Sequence, residues 1–212
     1  YFTNSGTEAI EGAIKLVKKV TKKSKIIAAK NSYHGSTYGS LSLLGRKKQK
    51  TGYYPMMPNV RFIKFNSITD INKIDKKTAG VVLETIQGGA GFILPKPGYL
   101  KKIKQQCEKV GALLILDETQ PGFGRTGHFF AFENYNISPD VIVMGKGMGG
   151  GLPIGAFTSK KIYMKLFEKN PRLGHITTFG GNPLVAAASL ATIKEIANSK
   201  LLDNISKKEN LF

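Results

Sequence analysis

Three short stretches carry residues that could act on a small molecule. "LLILDETQ", residues 113–120, is an apolar run that ends in Asp117 and Glu118. A carboxylate at the tip of a buried strand is costly unless something pairs with it. "VIVMGKGMGGG", residues 141–151, is a second apolar run, and it ends in Lys146 among glycines. A lysine partly withdrawn from water gives up its proton more readily and becomes a nucleophile toward carbonyls. "NSGTEA", residues 4–9, sets Ser5 and Glu8 at capping-box spacing, so a helix should start near Gly6. The N–H groups and positive dipole end of that helix would suit an anion, and Gly6 would let it approach the backbone at Gly6 and Thr7.

Each stretch alone has a plainer reading: a helix cap, a loop lysine in a flexible glycine turn, a strand-end carboxylate. A metal at Asp117 is not expected, because His34, His128 and His175 lie far apart and lack ligand spacing. A cationic partner suits Asp117 better, and a protonated pyridine nitrogen would serve. Together the three stretches describe a site for pyridoxal 5'-phosphate. Its phosphate needs a helix N-terminus, its aldehyde a lysine, and its ring nitrogen a carboxylate that holds the proton and keeps the ring an electron sink. Glu118 is the weaker partner for the ring, since successive strand side chains point to opposite faces. The glycine-flanked lysine is not a P-loop, because the G-x-x-x-x-G-K-[ST] pattern is absent.

Such a site needs a scaffold that brings these stretches together. Short apolar runs alternate with amphipathic segments along the whole chain. Strands are expected up to Thr3 and over 25–30, 60–65, 80–85, 112–118, 140–145 and 154–159. Several lack inside-outside alternation, which argues burial on both faces. Helices are expected over 6–23, with Ile10, Ala13, Ile14, Val17 and Val20 on one face, and over 98–110 and 183–200. The alternation predicts an α/β domain with a mainly parallel sheet. Ligands in such sheets bind outside the carboxyl ends of the strands. Asp117, Lys146, Glu84 and the Asn4–Thr7 turn all fall on that rim.

Composition narrows the alternatives. The 212 residues suffice for one sizeable domain, and 41% hydrophobic with 22% charged residues is ordinary for a globular protein. No apolar run is long enough to predict a transmembrane helix. The one cysteine, Cys107, excludes an internal disulfide and fits a reducing, cytoplasmic compartment; its helical setting reads as packing. The net charge of +18 invites a nucleic-acid reading, but only four of the 32 basic residues are Arg and the lysines are scattered in pairs. No nucleic-acid or membrane partner is expected. The chain opens on Tyr1 and closes in "DNISKKENLF", which reads as an excerpt of a longer protein whose targeting segment, if any, lies upstream.

Six motifs carry a resemblance over essentially all 212 residues: "NSGTEA", "YHGST", "ETIQGG", "LLILDETQPGFGRTG", "DVIVMGKGMGGGLPIGA" and "HITTFGGNP". In this order they resemble the class-III aminotransferases, which use pyridoxal phosphate on the fold-type-I scaffold. The resemblance implies a large-domain core over 1–212 with a seven-stranded, mainly parallel sheet and flanking helices. A small domain would begin near residue 200, and an N-terminal segment would precede the chain. Lys146 is implied to carry the cofactor and to shuttle a proton at the substrate α-carbon. Asp117 is implied to pair with the ring nitrogen and Gln120 with the 3-hydroxyl. Ser5, Gly6 and Thr7 belong to the phosphate turn, Tyr33 stacks on the ring with His34 beside it, and Glu84 sits near ring and substrate. Thr178 is similar to a threonine that reaches the phosphate of the neighbouring subunit, which implies a homodimer. Arg125 is implied to pack and hydrogen-bond the loop after Gln120.

The implied partners are an amino donor and a 2-oxo acid such as 2-oxoglutarate, with acetylornithine or ornithine the first expectation for the donor. 4-Aminobutyrate or another ω-amino acid is the alternative, as is an aminomutase or racemase on the same scaffold. Two positions depart from related sequences. Ser36 stands in "YHGST" where many amino-acid-specific relatives carry Arg, and Gly89 stands where ornithine- and 4-aminobutyrate-type relatives often carry Glu. Both departures bear on the donor and leave the cofactor chemistry alone.

Overall fold

The computed structural model describes residues 1–198, 200–209 and 211. Seven strands form one sheet: β1 (Phe2–Thr3), β2 (Lys25–Ala29), β3 (Val60–Ile63), β4 (Thr78–Glu84), β5 (Leu113–Asp117), β6 (Val141–Met144) and β7 (Gly155–Ser159). Their order is β1-β7-β6-β5-β4-β2-β3. The pairs from β3 through β2, β4 and β5 to β6 are parallel. β7 alone runs antiparallel to both of its neighbours. The sheet is therefore mainly parallel and seven-stranded, as expected. The reversed β7 was not anticipated, because an apolar run does not encode its direction.

Among the described residues the helices are α1 (Gly6–Thr21), α2 (Tyr38–Ser42), α3 (Tyr99–Val110), α4 (Lys161–Met164), α5 (Pro183–Asn198) and α6 (Ile205–Glu209). Helix α1 stops two residues short of the predicted 23, because Lys22 turns left-handed at φ 56° and donates its N–H to the Lys18 carbonyl. The helix predicted over 183–200 is found to Asn198, and residue 199 lies outside the described residues. α2 and the turns around it were not expected from the sequence. Among the described residues, no helix is long and apolar enough to cross a membrane.

Every residue of β4 and β5 is buried, which explains the missing alternation in their sequences. The pleat still sorts them. Val82 and Ile115 pack with Ile10, Ala13 and Val17 of α1 on one face. Val81, Leu83, Leu114 and Leu116 pack with Tyr99, Leu100, Ile103 and Cys107 of α3 on the other. By the same parity Glu84 and Asp117 belong to the α1 face, and Glu118 to the α3 face. A third cluster sets Val185 of α5 against Met148 and Ile154, under the loop that carries Lys146.

Candidate active site

A cavity of about 420 Å³ opens where β4, β5 and β6 end and α1 begins. Ser5, Gly6, Thr7, Tyr33, His34, Glu84, Asp117, Gln120 and Lys146 all line it. Residues from five separate stretches of sequence thus meet on one rim. Thr178 is not among them. It is exposed and lines a second cavity with Asn4, Glu8, Glu11 and His175, on the outer side of the α1 N-terminus.

The start of α1 is built as the spacing predicts. Ser5 caps the helix and its Oγ accepts the Glu8 N–H at 3.4 Å. Glu8 reaches back to the Asn4 N–H at 2.8 Å, one residue before the position a capping box would give it. Helix geometry leaves the N–H groups of Gly6 and Thr7 without intrahelical partners, and both residues face the cavity. Gly6 has a packing reason as well. A Cβ there would lie 2.7 Å from the Thr119 methyl.

Asp117 is 5% exposed, and it is not a lone carboxylate. Its Oδ2 accepts from His34 Nδ1 at 2.8 Å and its Oδ1 from the Thr119 N–H at 3.0 Å. An ionised carboxylate only accepts, so Nδ1 carries the hydrogen of this bond. His34 Nε2 is buried without a partner. Glu84 lies directly across from Asp117 in the β4–β5 register. It accepts the N–H groups of Tyr33 at 3.1 Å and Gly88 at 3.2 Å. Burial pushes its carboxyl above the ordinary range, and the Asp117 charge adds to this; His34 and the two N–H groups pull the other way. Glu118 turns to the opposite face and is fully buried. It accepts from the Thr85 hydroxyl and from the N–H groups of Ala131 at 2.8 Å and Phe132 at 3.2 Å. Its work is to anchor the turn Ala131–Tyr135, and burial raises its carboxyl too.

Lys146 follows Gly145 and adopts φ +46°, a left-handed conformation uncommon for a side chain of its size. Its Nζ donates to Gln120 Oε1 at 3.0 Å. The amine was expected to be partly withdrawn from water. Lys146 is instead exposed, because the loops around it leave the mouth of the cavity open. Gln120 is held in turn by the backbone at Gly88, where a Cβ would stand 2.6 Å from its amide nitrogen. Tyr33 is 48% exposed, with its hydroxyl 3.1 Å from Ser36 Oγ.

Arg125 departs from expectation, and Cys107 meets it. Arg125 is exposed beside the groove under Ile196 and Leu202, and among the described residues it makes no hydrogen bond to the loop after Gln120. Cys107 is buried in α3, and burial pushes its thiol up to about 12, which suits packing and not nucleophilic attack. Sequence reasoning missed Thr119, whose Oγ1 is buried without a partner and which lines the cavity. Its place two residues after Asp117 was the available signal. Among the described residues, no group of three or more His, Cys, Asp or Glu side chains could hold a metal ion.

The donor set suits a planar heteroaromatic ring that bears a phosphate and an aldehyde. An anion-binding helix end, a buried carboxylate and a primary amine face one cavity, while two buried polar atoms, His34 Nε2 and Thr119 Oγ1, lack protein partners.

Comparison with known proteins agrees. The family profile of aminotransferase class-III matches residues 1–212. The chain is 43% identical over 210 residues to a [LysW]-aminoadipate semialdehyde/glutamate semialdehyde transaminase of Sulfurisphaera tokodaii, covering 99% of this chain and 53% of that protein. It is 41% identical over 218 residues to an acetylornithine aminotransferase of Aquifex aeolicus, covering 100% of this chain and 57% of that protein. The fold superposes on an ornithine aminotransferase from Toxoplasma gondii with a TM-score of 0.90 at 31% identity, over 96% of this chain and 50% of that one; PLP partly occupies that protein's active site. The chain spans about half the length of the curated relatives it matches.

Proposed function

The chain belongs to the class-III aminotransferases, and from that premise we propose that its protein moves an amino group from an amino donor to a 2-oxo acid such as 2-oxoglutarate, using pyridoxal 5'-phosphate. The observation that carries this reading is the convergence of Lys146, Asp117 and the first turn of α1 on one cavity. When bound, the cofactor supplies an electron sink for charge developed at the donor's amine-bearing carbon. The Lys146 amine would hold the cofactor through its aldehyde and is the group placed to move a proton at the donor's amine-bearing carbon. Gln120, already bonded to Lys146 Nζ, orients that amine and meets the 3-hydroxyl. Asp117 keeps a proton on the ring nitrogen, and His34 behind it fixes the carboxylate's direction. The N–H groups of Gly6 and Thr7, in the turn capped by Ser5, hold the phosphate, and Tyr33 covers one face of the ring. Burial raises the Glu84 carboxyl, and Asp117 across the register adds to that rise.

For the donor, the relatives named for acetylornithine support an acetylornithine- or ornithine-like compound. Ser36, which lines the cavity, carries no charge to pair with a substrate carboxylate. Residues 1–212 act in this reading as the large-domain core of a longer chain, in a homodimer where Thr178 reaches the neighbouring subunit's phosphate. The exposed Ile176 and Phe179 beside Thr178, at 67% and 69%, support a covered surface there.

The test is spectroscopic. The full-length protein is loaded with the cofactor, its visible absorption recorded, and candidate donors added singly without any oxo acid. A true donor should bleach the band to a pyridoxamine-type spectrum. Lys146→Ala should lack the original band and lose about 10⁴-fold in turnover, the upper range for a positioned base. A stable band that no donor bleaches would turn the assignment toward an aminomutase or racemase. Absence of any band would refute the cofactor.

A further inference from the structure

We propose that Glu11 is a positioning residue for the phosphate end of the cavity, acting through the Thr37 hydroxyl to hold Thr7 with its side chain turned out of the cavity and only its N–H offered inward. This rests on the reading that the first turn of α1 takes the cofactor phosphate. Glu11 sits one helical turn after Thr7, on the same face of α1. Its Oε1 accepts the Thr37 hydroxyl at 2.6 Å and the Ser40 N–H at 3.0 Å. The second of these is a first-turn N–H of α2 that its own helix cannot satisfy.

The hydrogens can be followed one by one. A carboxylate only accepts, so the single hydroxyl hydrogen of Thr37 is committed to Glu11. Thr37 Oγ1 is then left to accept, from Thr7 Oγ1 at 2.8 Å or Ser40 Oγ at 3.0 Å. Thr7 Oγ1 accepts the Thr37 N–H at 3.3 Å and lies 2.7 Å from Ser40 Oγ. Ser40 Oγ is also 3.0 Å from the Thr37 carbonyl. Every hydroxyl in the group therefore has an acceptor inside it, and the Thr7 hydrogen can be taken by Thr37 Oγ1 or Ser40 Oγ. The carboxylate sets the direction of the chain. Charge-assisted bonds of this kind are the strong ones.

The backbone is cut to fit this arrangement. Gly35 adopts φ +124°, and a Cβ there would overlap Thr7 Oγ1. A Cβ at Gly39 would overlap the Glu11 carboxylate. The contacts run from Gly35 to Ser40 and bear on the phosphate turn alone.

The experiment separates phosphate from ring. Apoprotein from the full chain is titrated with pyridoxal phosphate and with pyridoxal, which lacks the phosphate, for wild type, Glu11→Ala, Glu11→Gln and Thr37→Val, with Tm measured for each. Glu11→Ala should weaken pyridoxal phosphate by about 10- to 100-fold, the loss expected for a hydrogen bond to a charged group. Pyridoxal binding should stay within about twofold. Glu11→Gln keeps an accepting oxygen for Thr37 but loses the charge, and should fall between wild type and Glu11→Ala. Thr37→Val removes the relay hydroxyl but not the carboxylate, and should reproduce the phosphate-selective loss even if Glu11→Ala fails to fold. Equal weakening of both ligands, no weakening, or a Gln variant as poor as Ala would overturn the role of Glu11. A wild type that binds pyridoxal phosphate no tighter than pyridoxal would instead overturn the phosphate reading of α1, and this inference with it.

Discussion

Asp117→Asn is the substitution that bears most directly on the chemistry. Asp117 is buried, and both of its oxygens already have partners in His34 and the Thr119 N–H. Asparagine has the same shape. Its oxygen can keep the Thr119 N–H, and its NH2 can face His34 Nδ1 if the imidazole hydrogen moves to Nε2. That nitrogen is buried without a partner, so the shift leaves an unpaired donor, at a cost of about 1–2 kcal/mol. For a domain of this size the Tm should fall by about 2–8 °C. The chemical effect should be larger. Two unit charges about 4 Å apart at an effective dielectric of about 20 interact by about 4 kcal/mol. That equals about three pKa units on the ring nitrogen, so at neutral pH the variant should leave the bound ring largely unprotonated. kcat/KM for the donor should fall by about 10²–10³-fold. The assay is the rate of cofactor bleaching by donor under single-turnover conditions, with cofactor content measured in parallel. A folded, cofactor-loaded variant within about threefold of wild type would refute the electrostatic role given to the tip of β5.

Gly88→Ala should drive a methyl into the Gln120 amide, pulling it from Lys146 Nζ; because Gln120 is a flexible side chain, Tm should hold within about 4 °C while turnover falls by about tenfold, measured by steady-state kinetics. Glu84→Gln tests the buried carboxyl through pH. Burial raises its folded value above its unfolded one, so its stabilising contribution is complete below the unfolded value and is lost as pH rises through the folded one. The Gln variant has no such loss, and the Tm difference, variant minus wild type, should grow from acid pH toward neutral, on top of a fixed offset from one NH2 facing a backbone N–H. A pH-independent difference in thermal melts would count against the raised carboxyl.

What the sequence made legible depended on whether the controlling contact was local. β4 and β5 could be read from "GVVLET" and "ALLILDE" because burial on both faces leaves an unbroken apolar run. Ser5 could be read as a cap because its partner is three residues away. The opposed directions of Asp117 and Glu118 followed from the pleat alone. The His34–Asp117 bond could not be read, since 83 positions separate the two residues and the histidine sits in a loop without periodicity. The exposure of Lys146 was misjudged for a related reason. Glycine flanks reveal how much bulk is absent beside an amine but not what closes over it. The Glu11 relay was hidden because Thr37 and Ser40 lie in a segment where hydroxyls, not apolar spacing, decide the backbone path.

The reversed strand β7 also sets the order in which the site can come into being. β4 to β7 pair with their neighbours in sequence, and such pairings close short stretches of chain. β1 does not. Phe2 must find Ala156, and the Tyr1 backbone nitrogen the Phe157 carbonyl 156 positions away. Closing a long loop is slow as well as entropically unfavourable. During synthesis, β1 and α1 leave the ribosome long before the edge they need exists. The half of the cavity that offers N–H groups to an anion is therefore made before the other half and completed last, and a cofactor arriving during synthesis would meet Lys146 only after the stretch between α1 and β6 had emerged.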